Sequence, residues 1–305
     1  MRVCECAGFN LQSSISNLQS PISNLPSPIS NLYPQSYHIS LHNDIKHTLY
    51  ISHILLFYAN IVAMKALVIS DIHANLTALE VVLDDAGHLD VTWLLGDLVG
   101  YGPDPNECIA RVRELPDLVC LMGNHDAATL GLINTSAFNP AARIAIHWTR
   151  DTIRPENLDY LSGLPKTIRD GDITMAHGSP RQPIWEYLLD IRNATENFKY
   201  FDTSYCFVGH THLPTIYQLS DEPGKADWII PETDTPLTLS PRAIINPGSV
   251  GQPRDHDPRA SYAIFDTETS SIEYRRVSYD IHAVQTRMRE ADLPKRHIDR
   301  LSAGW

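Results

Sequence analysis

Five short apolar runs in this chain each stop at a residue able to bind a metal ion. Residues 65–70 lead into Asp71-Ile72-His73, and residues 91–95 into Gly96-Asp97. Residues 118–122 lead into Gly123-Asn124-His125-Asp126. Residues 173–176 lead into His177-Gly178, and residues 205–208 into Gly209-His210-Thr211-His212. Helical patterns intervene. Leu76, Leu79, Val82 and Leu83 are spaced three and four apart, and Pro105 opens a helix predicted through Glu114. The chain therefore reads as strand, motif, helix, repeated. In open α/β sheets, ligands bind beyond the carboxyl ends of the strands, so distant residues are predicted to converge on one site. Glycine adjoins a candidate ligand in four of the motifs, at Gly96, Gly123, Gly178 and Gly209. A neighbour without a side chain lets the backbone turn sharply there.

The candidate ligands are Asp71, His73, Asp97, Asn124, His177, His210 and His212, with no cysteine among them. Oxygen and nitrogen donors suit Mn, Fe(II), Zn, Co or Ni and disfavour a cysteine-based structural zinc site. Seven donors are too many for one catalytic ion that keeps an open position. Two ions about 3.5–4 Å apart that share a carboxylate use them well. Each motif alone is weak, because Gly-Asp marks many turns and Gly-His-Thr-His fits a surface loop. The ordered set, each member at a strand end, carries the reading.

Composition narrows the alternatives. The net charge is −12, which excludes a strongly basic nucleic-acid-binding face as the default. No apolar run reaches the ~18–20 residues of a membrane span. Five cysteines without framework spacing argue against a disulfide scaffold and fit a reduced, cytoplasmic compartment.

The first 63 residues differ from the rest. Asn-Leu recurs every seven residues at Asn10-Leu11, Asn17-Leu18, Asn24-Leu25 and Asn31-Leu32. Pro21, Pro26, Pro28 and Pro34 refute a coiled coil, since proline removes a helix donor. A Ser, Asn, Pro and Gln composition with little charge cannot build a core, so residues 1–63 are predicted to be disordered. Met64 opens a new pattern and is predicted to be the true start, the repeat being translated upstream DNA. Residues 49–63 are apolar but short for a span.

The motifs Asp71-x-His73, Gly96-Asp97, Gly123-Asn124-His125-Asp126, His177 and Gly209-His210-Thr211-His212 resemble those of calcineurin-like metallophosphoesterases. The spacing is most similar to the small bacterial and archaeal phosphodiesterase branch. So are Gly96-Asp97-Leu98-Val99-Gly100-Tyr101-Gly102-Pro103 and Asn246-Pro247-Gly248-Ser249-Val250-Gly251-Gln252-Pro253-Arg254. The resemblance covers about residues 64–284. It implies a four-layer α-β-β-α sandwich, in which two mixed β-sheets pack together with helices outside. It implies that Asp71, His73 and His212 hold one divalent ion, that Asn124, His177 and His210 hold the other, and that Asp97 bridges them. It implies a metal-bridging hydroxide as nucleophile, His125 as a non-ligand that contacts the phosphate and protonates the leaving group, and Asp126 as the residue that orients it. Protein Ser/Thr phosphatases of the superfamily carry an arginine shortly after the bridging aspartate, where this chain has Leu98-Val99-Gly100-Tyr101-Gly102. That departure argues against a protein phosphatase, while the resemblance to the phosphodiesterase branch favours diesters. Arg254 is a candidate replacement cation for substrate binding.

The expected activity is hydrolysis of small phosphate esters, most of all diesters, with nucleic acid a partner only as substrate. A phosphomonoesterase or nucleotide phosphatase is the alternative enzyme. A non-catalytic scaffold, like the retromer subunit of the superfamily, is the alternative of another class. Residues 64–305 are expected to form one domain with a helical insertion at about 127–163. There Ala141, Ile144, Ala145 and Trp148 fall at helical spacing, with Trp148 packing on the core. Asn75 is predicted to cap the first helix, and Cys108, Cys120 and Cys206 to be buried thiols. A turn is expected at 221–224 and strands at 227–230, 243–245, 262–265 and 272–277. Residues 281–290 read as a helix, with a short final helix behind it.

Overall fold

In the computed structural model, residues 64–220 and 224–305 are described. The expectations for residues 1–63 and most of the turn at 221–224 fall outside the described residues.

The strands are apolar almost throughout because both of their faces are buried. In β1 (Lys65–Ile69), Ala66 and Val68 face one core while Leu67 and Ile69 face another. In β6 (Tyr205–Phe207), Tyr205 and Phe207 point one way and Cys206 the other. Side chains alternate along a strand, so a strand buried on both faces separates two cores. Three cores stacked across two sheets give the four-layer α-β-β-α arrangement expected from the sequence.

The first sheet runs β3 (Leu118–Cys120), β2 (Val91–Leu94), β1, β11 (Ala260–Asp266), β12 (Ser271–Val277), β9 (Leu237–Thr238). The second runs β4 (Thr167–Asp170), β5 (Ile173–Ala176), β6, β10 (Ala243–Pro247), β7 (Pro214–Leu219), β8 (Ala226–Ile229). Both are mixed. β1, β2 and β3 pair in parallel, as do β5, β6 and β10, and the remaining pairs are antiparallel. The inner faces meet around Trp93 and Phe265 of the first sheet and Phe207 of the second. The rings of Trp93 and Phe207 lie 5.2 Å apart, edge to face.

Helices cover the outside. α1 (Leu76–Ala86) starts where the Asn75 side chain accepts the Ala78 N–H at 3.1 Å, the expected cap. It joins α2 (Pro105–Arg113), α3 (Asn124–Thr129), α4 (Pro140–Thr152), α5 (Pro155–Ser162), α7 (Ile281–Glu290) and α8 (Lys295–Ala303). α6 (Ile191–Asn197) covers the second sheet. In α4 the buried stripe is Ala142, Ala145, Ile146 and Thr149, while Ile144 is 55% exposed. The helix is turned about one residue from the expected face. Trp148 still packs against the core. Cys108, Cys120 and Cys206 are buried free thiols, as expected. No described helix is long and apolar enough to cross a membrane.

Candidate metal centre

The parallel strands of both sheets deliver their carboxyl ends to one place. Asp71 and His73 follow β1, Asp97 follows β2, and Asn124 opens α3 just after β3. His177 follows β5, and His210 and His212 follow β6. All seven are buried. Two groups of potential ligand atoms form, Asp71–His73–His212 and Asp97–His177–His210.

Each imidazole presents one nitrogen to a backbone carbonyl and the other to the centre. His73 Nδ1 faces Val99 O at 3.3 Å, His177 Nδ1 donates to Leu95 O at 2.9 Å, and His212 Nδ1 donates to Gln252 O at 2.6 Å. His210 is reversed, its Nε2 facing Trp185 O at 3.2 Å. A carbonyl only accepts, so these contacts fix the proton on the outer nitrogen of each neutral ring and leave a lone pair facing inward. The inward atoms then meet one another. His73 Nε2 and His212 Nε2 lie 3.2 Å apart, as do His177 Nε2 and His210 Nδ1. Asn124 Oδ1 is 3.1 Å from His177 Nε2. Asp71 Oδ1 is 3.2 Å from His212 Nε2. Asp97 Oδ2 lies 3.6 Å from His73 Nε2 and 3.4 Å from His177 Nε2, between the two groups. Converging lone pairs repel unless a cation lies among them. No lysine or arginine pairs with Asp71 or Asp97 among the described residues, so the donor set fits divalent ions and little else.

The electrostatics run the same way. Burial opposes ionisation of Asp71 and Asp97, but facing imidazoles, His212 for the first and His177 for the second, hold both carboxyls below the usual range. Burial also disfavours a charged His177, yet Asp97 overrides it and raises that ring to about 9. A cation is attracted to this position, and a metal ion arriving there displaces a proton.

The backbone is bent to make this geometry. Asp71, His73, Asp97, His210 and His212 have φ of 53°, 49°, 53°, 67° and 61°. This left-handed region costs a non-glycine residue about 1–2 kcal/mol. The turns are tied to one another: Asp71 N donates to Gly96 O at 3.1 Å, and His73 N to Asp97 O at 3.0 Å. His210 N donates to Asp71 Oδ2 at 3.0 Å. Gly96, at φ 98°, turns the chain as expected, whereas Gly123 and Gly209 answer to close approach. A Cβ on Gly123 would overlap Asp97 Oδ1, and one on Gly209 would overlap Ser70 Oγ and lie 2.9 Å from Asp71 Oδ2.

Residues 64–270 match the model of the calcineurin-like phosphoesterase superfamily domain. The chain belongs to that superfamily. It is 40% identical over 244 residues to an uncharacterized protein of Methanocaldococcus jannaschii, covering 78% of this chain and 97% of the relative. The crystal structure of a metallophosphoesterase from Sphaerobacter thermophilus superposes with a TM-score of 0.74 at 49% identity, covering 80% of this chain and all of that one. A symmetrical bis(5'-nucleosyl)-tetraphosphatase of Thioalkalivibrio sulfidiphilus is 30% identical over 150 residues, 44% of this chain and 51% of the relative.

Within this phosphoesterase fold, His125 stands beside the ligands and outside both ligand groups. Its ring centroid is 5.0 Å from that of His73 and 4.2 Å from that of Tyr101, and its Nδ1 has no hydrogen-bond partner. Burial, and next in size an opposing Asp97, set its pKa, which falls to about 4. Asp126 does not meet the His125 ring as expected. Its Oδ1 accepts the Val99 N–H at 3.0 Å, and its Oδ2 accepts those of Gly123 at 2.9 Å and Leu98 at 3.3 Å. A carboxylate occupied by three backbone donors positions the Asp97 loop against α3. Burial, then Asp97, raise it to about 7.

Arg254 is half-buried and lies 5.9 Å over the Tyr101 ring. The sequence reading missed several neighbours. Phe138, just before α4, packs edge to face on His125 at 5.1 Å, and Tyr187 stacks on His210 at 3.8 Å. Gln252 holds His212 through its carbonyl. Its only signal was its place in the Asn246–Arg254 stretch. Ser249 Oγ in that stretch donates to Asp71 O at 2.8 Å, and Asn246 Nδ2 to Gly209 O at 2.6 Å, so the segment ties two ligand turns together.

Proposed function

We propose that this protein is a dinuclear metal-dependent hydrolase of phosphate esters that prefers diesters. The observation that carries the reading is the inward convergence of four imidazole lone pairs on two carboxylates and one amide, each outer imidazole nitrogen being held by a backbone carbonyl. Asp71, His73 and His212 would hold one ion and Asn124, His177 and His210 the other, with Asp97 Oδ2 shared. Such ions, when bound, lower the pKa of a coordinated water and neutralise phosphoryl oxygens.

The chain's own residues do the rest. His125 stands close enough to meet a substrate phosphate, whose negative charge raises the proton affinity of the ring from its depressed value. The ring can then give its proton to the departing oxygen. Arg254 supplies the cation that the stretch after Asp97 lacks. That lack argues against a phosphoprotein substrate, and diester preference draws support from the tetraphosphatase relatives, whose similarity reaches about half of their length.

The test uses the full-length chain, stripped with chelator and reloaded with Mn²⁺, Ni²⁺, Zn²⁺ or Fe²⁺. Metal-dependent hydrolysis of bis-p-nitrophenyl phosphate should exceed that of p-nitrophenyl phosphate. His125→Ala should keep its metal and lose roughly 10²–10⁴-fold in turnover. Two bound ions without turnover of any ester would overturn the enzyme, and a preference for the monoester would overturn the diesterase.

A further inference from the structure

Beside the metal centre, two arginines from distant parts of the chain share one oxygen. Gln252 is 1% exposed, and its Oε1 accepts from Arg254 Nη2 at 3.0 Å and from Arg300 Nη1 at 3.3 Å. Arg254 lies in the loop between β10 and β11, and Arg300 lies on α8. Neither guanidinium has a carboxylate within ion-pair distance among the described residues. Arg254 Nε, Arg300 Nε and Gln252 Nε2 are all buried without a hydrogen-bond partner. All three carry N–H donors and no acceptor. The two arginines are half-buried, but these three nitrogens are not exposed, and buried donors held beside like charges are costly unless an anion completes them.

The cluster adjoins the candidate centre. The Gln252 carbonyl accepts the His212 Nδ1–H, and Arg254 lies over Tyr101, whose ring packs on His125. Burial, followed by the Arg254 charge, lowers Arg300 to about 10, a measure of how closely the cations are held. Arg254 and Arg300 also act electrostatically on Tyr187, which stacks on His210. Paired guanidiniums match phosphate, which they engage through two parallel N–H bonds.

We propose that Arg254, Arg300 and Gln252 form a second phosphate site, which takes a phosphate next to the scissile one in a polyphosphate chain. The proposal rests on the phosphoesterase reading of the metal centre and narrows its substrate. A simple diester leaves Arg300 unused, whereas a dinucleoside polyphosphate engages both arginines.

The full-length chain, loaded with Mn²⁺ and desalted, is compared with Arg300→Met and Arg300→Lys. Arg300→Met should lose at least tenfold more kcat/KM on P1,P4-diadenosine tetraphosphate than on bis-p-nitrophenyl phosphate, mainly through KM, and Arg300→Lys should recover part of it. Calorimetric titration needs no turnover. There Arg300→Met should weaken inorganic tripolyphosphate at least tenfold more than orthophosphate. Equal losses within each pair, or none, overturn the site, and Arg300→Lys gives the same comparison should Arg300→Met fail to fold. Arg300-dependent tripolyphosphate selectivity in a chain that hydrolyses no ester would keep the anion site and sink the esterase. Diester turnover with selectivity indifferent to Arg300 would do the reverse. Loss on tripolyphosphate but not on the diadenosine compound would assign the site to the inorganic anion and overturn the substrate class.

Discussion

Asp97 is shaped by its neighbours as much as by its own strand. Its Oδ1 accepts the His125 N–H at 2.8 Å, while its Oδ2 points between the two ligand groups. Asp97→Asn removes the shared negative charge without changing the size of the side chain. Metal content measured by mass spectrometry should fall from two ions per chain to one or none. Gly123→Ala is the sharper probe, because its Cβ overlaps Asp97 Oδ1. That variant should lose metal affinity and about 1–3 kcal/mol of stability through forced backbone shifts, read by denaturant unfolding and metal content together. The seven candidate ligands were legible in the sequence because each one ends an apolar run. Arg300 was not, because on a charged C-terminal helix it reads as one more solvated cation. The occupation of Asp126 by backbone donors was equally hidden, since two of its three donors belong to Leu98 and Val99 on another turn.

Elements with a buried face announced themselves, and those without one did not. Strands β1, β2, β5, β6 and β10 carry continuous apolar runs because helices and a second sheet cover their two faces. Strand β4 is exposed or half-buried along its whole length and charged at Arg169 and Asp170, so it gave no apolar signal. Strand β9 has two residues, and α6 is a short polar helix. Between the sheets, Trp93 is 2% exposed and packs on both Phe207 and Phe265. Trp93→Ala should cost about 3–5 kcal/mol in urea unfolding. On α8, His297 is buried 4.4 Å from the Tyr101 ring. Burial first, and Arg300 second, lower its pKa from 6.5 to about 3. Below pH 6.5 the unfolded chain takes up a proton that the folded chain refuses, so stability falls with pH and levels off under about 3. Compared with His297→Leu, the natural chain should lose roughly 1.4 kcal/mol per pH unit in that window, measured from urea midpoints near pH 7 and about pH 5.

At the scale of the molecule, the centre is held by contacts that do not involve metal. Hydrogen bonds join the turns after β1, β2 and β6, and the loop after β10 braces two of them. Removal of both ions by chelator should therefore leave far-UV circular dichroism and cooperative unfolding intact. The melting temperature should fall on the order of 10 °C at saturating metal, since each ion adds about 2.7 kcal/mol at a hundredfold excess over Kd. Collapse of the fold on chelation would show that the ions build the site. The left-handed turns at Asp71, His73, Asp97, His210 and His212 are set by the sandwich at the moment of folding. Newly synthesised chains can then wait, finished, for whatever divalent ion the cell's metal traffic brings. On the dinuclear reading proposed above, the identity of the cargo would then be a matter of supply and exchange on a ready surface.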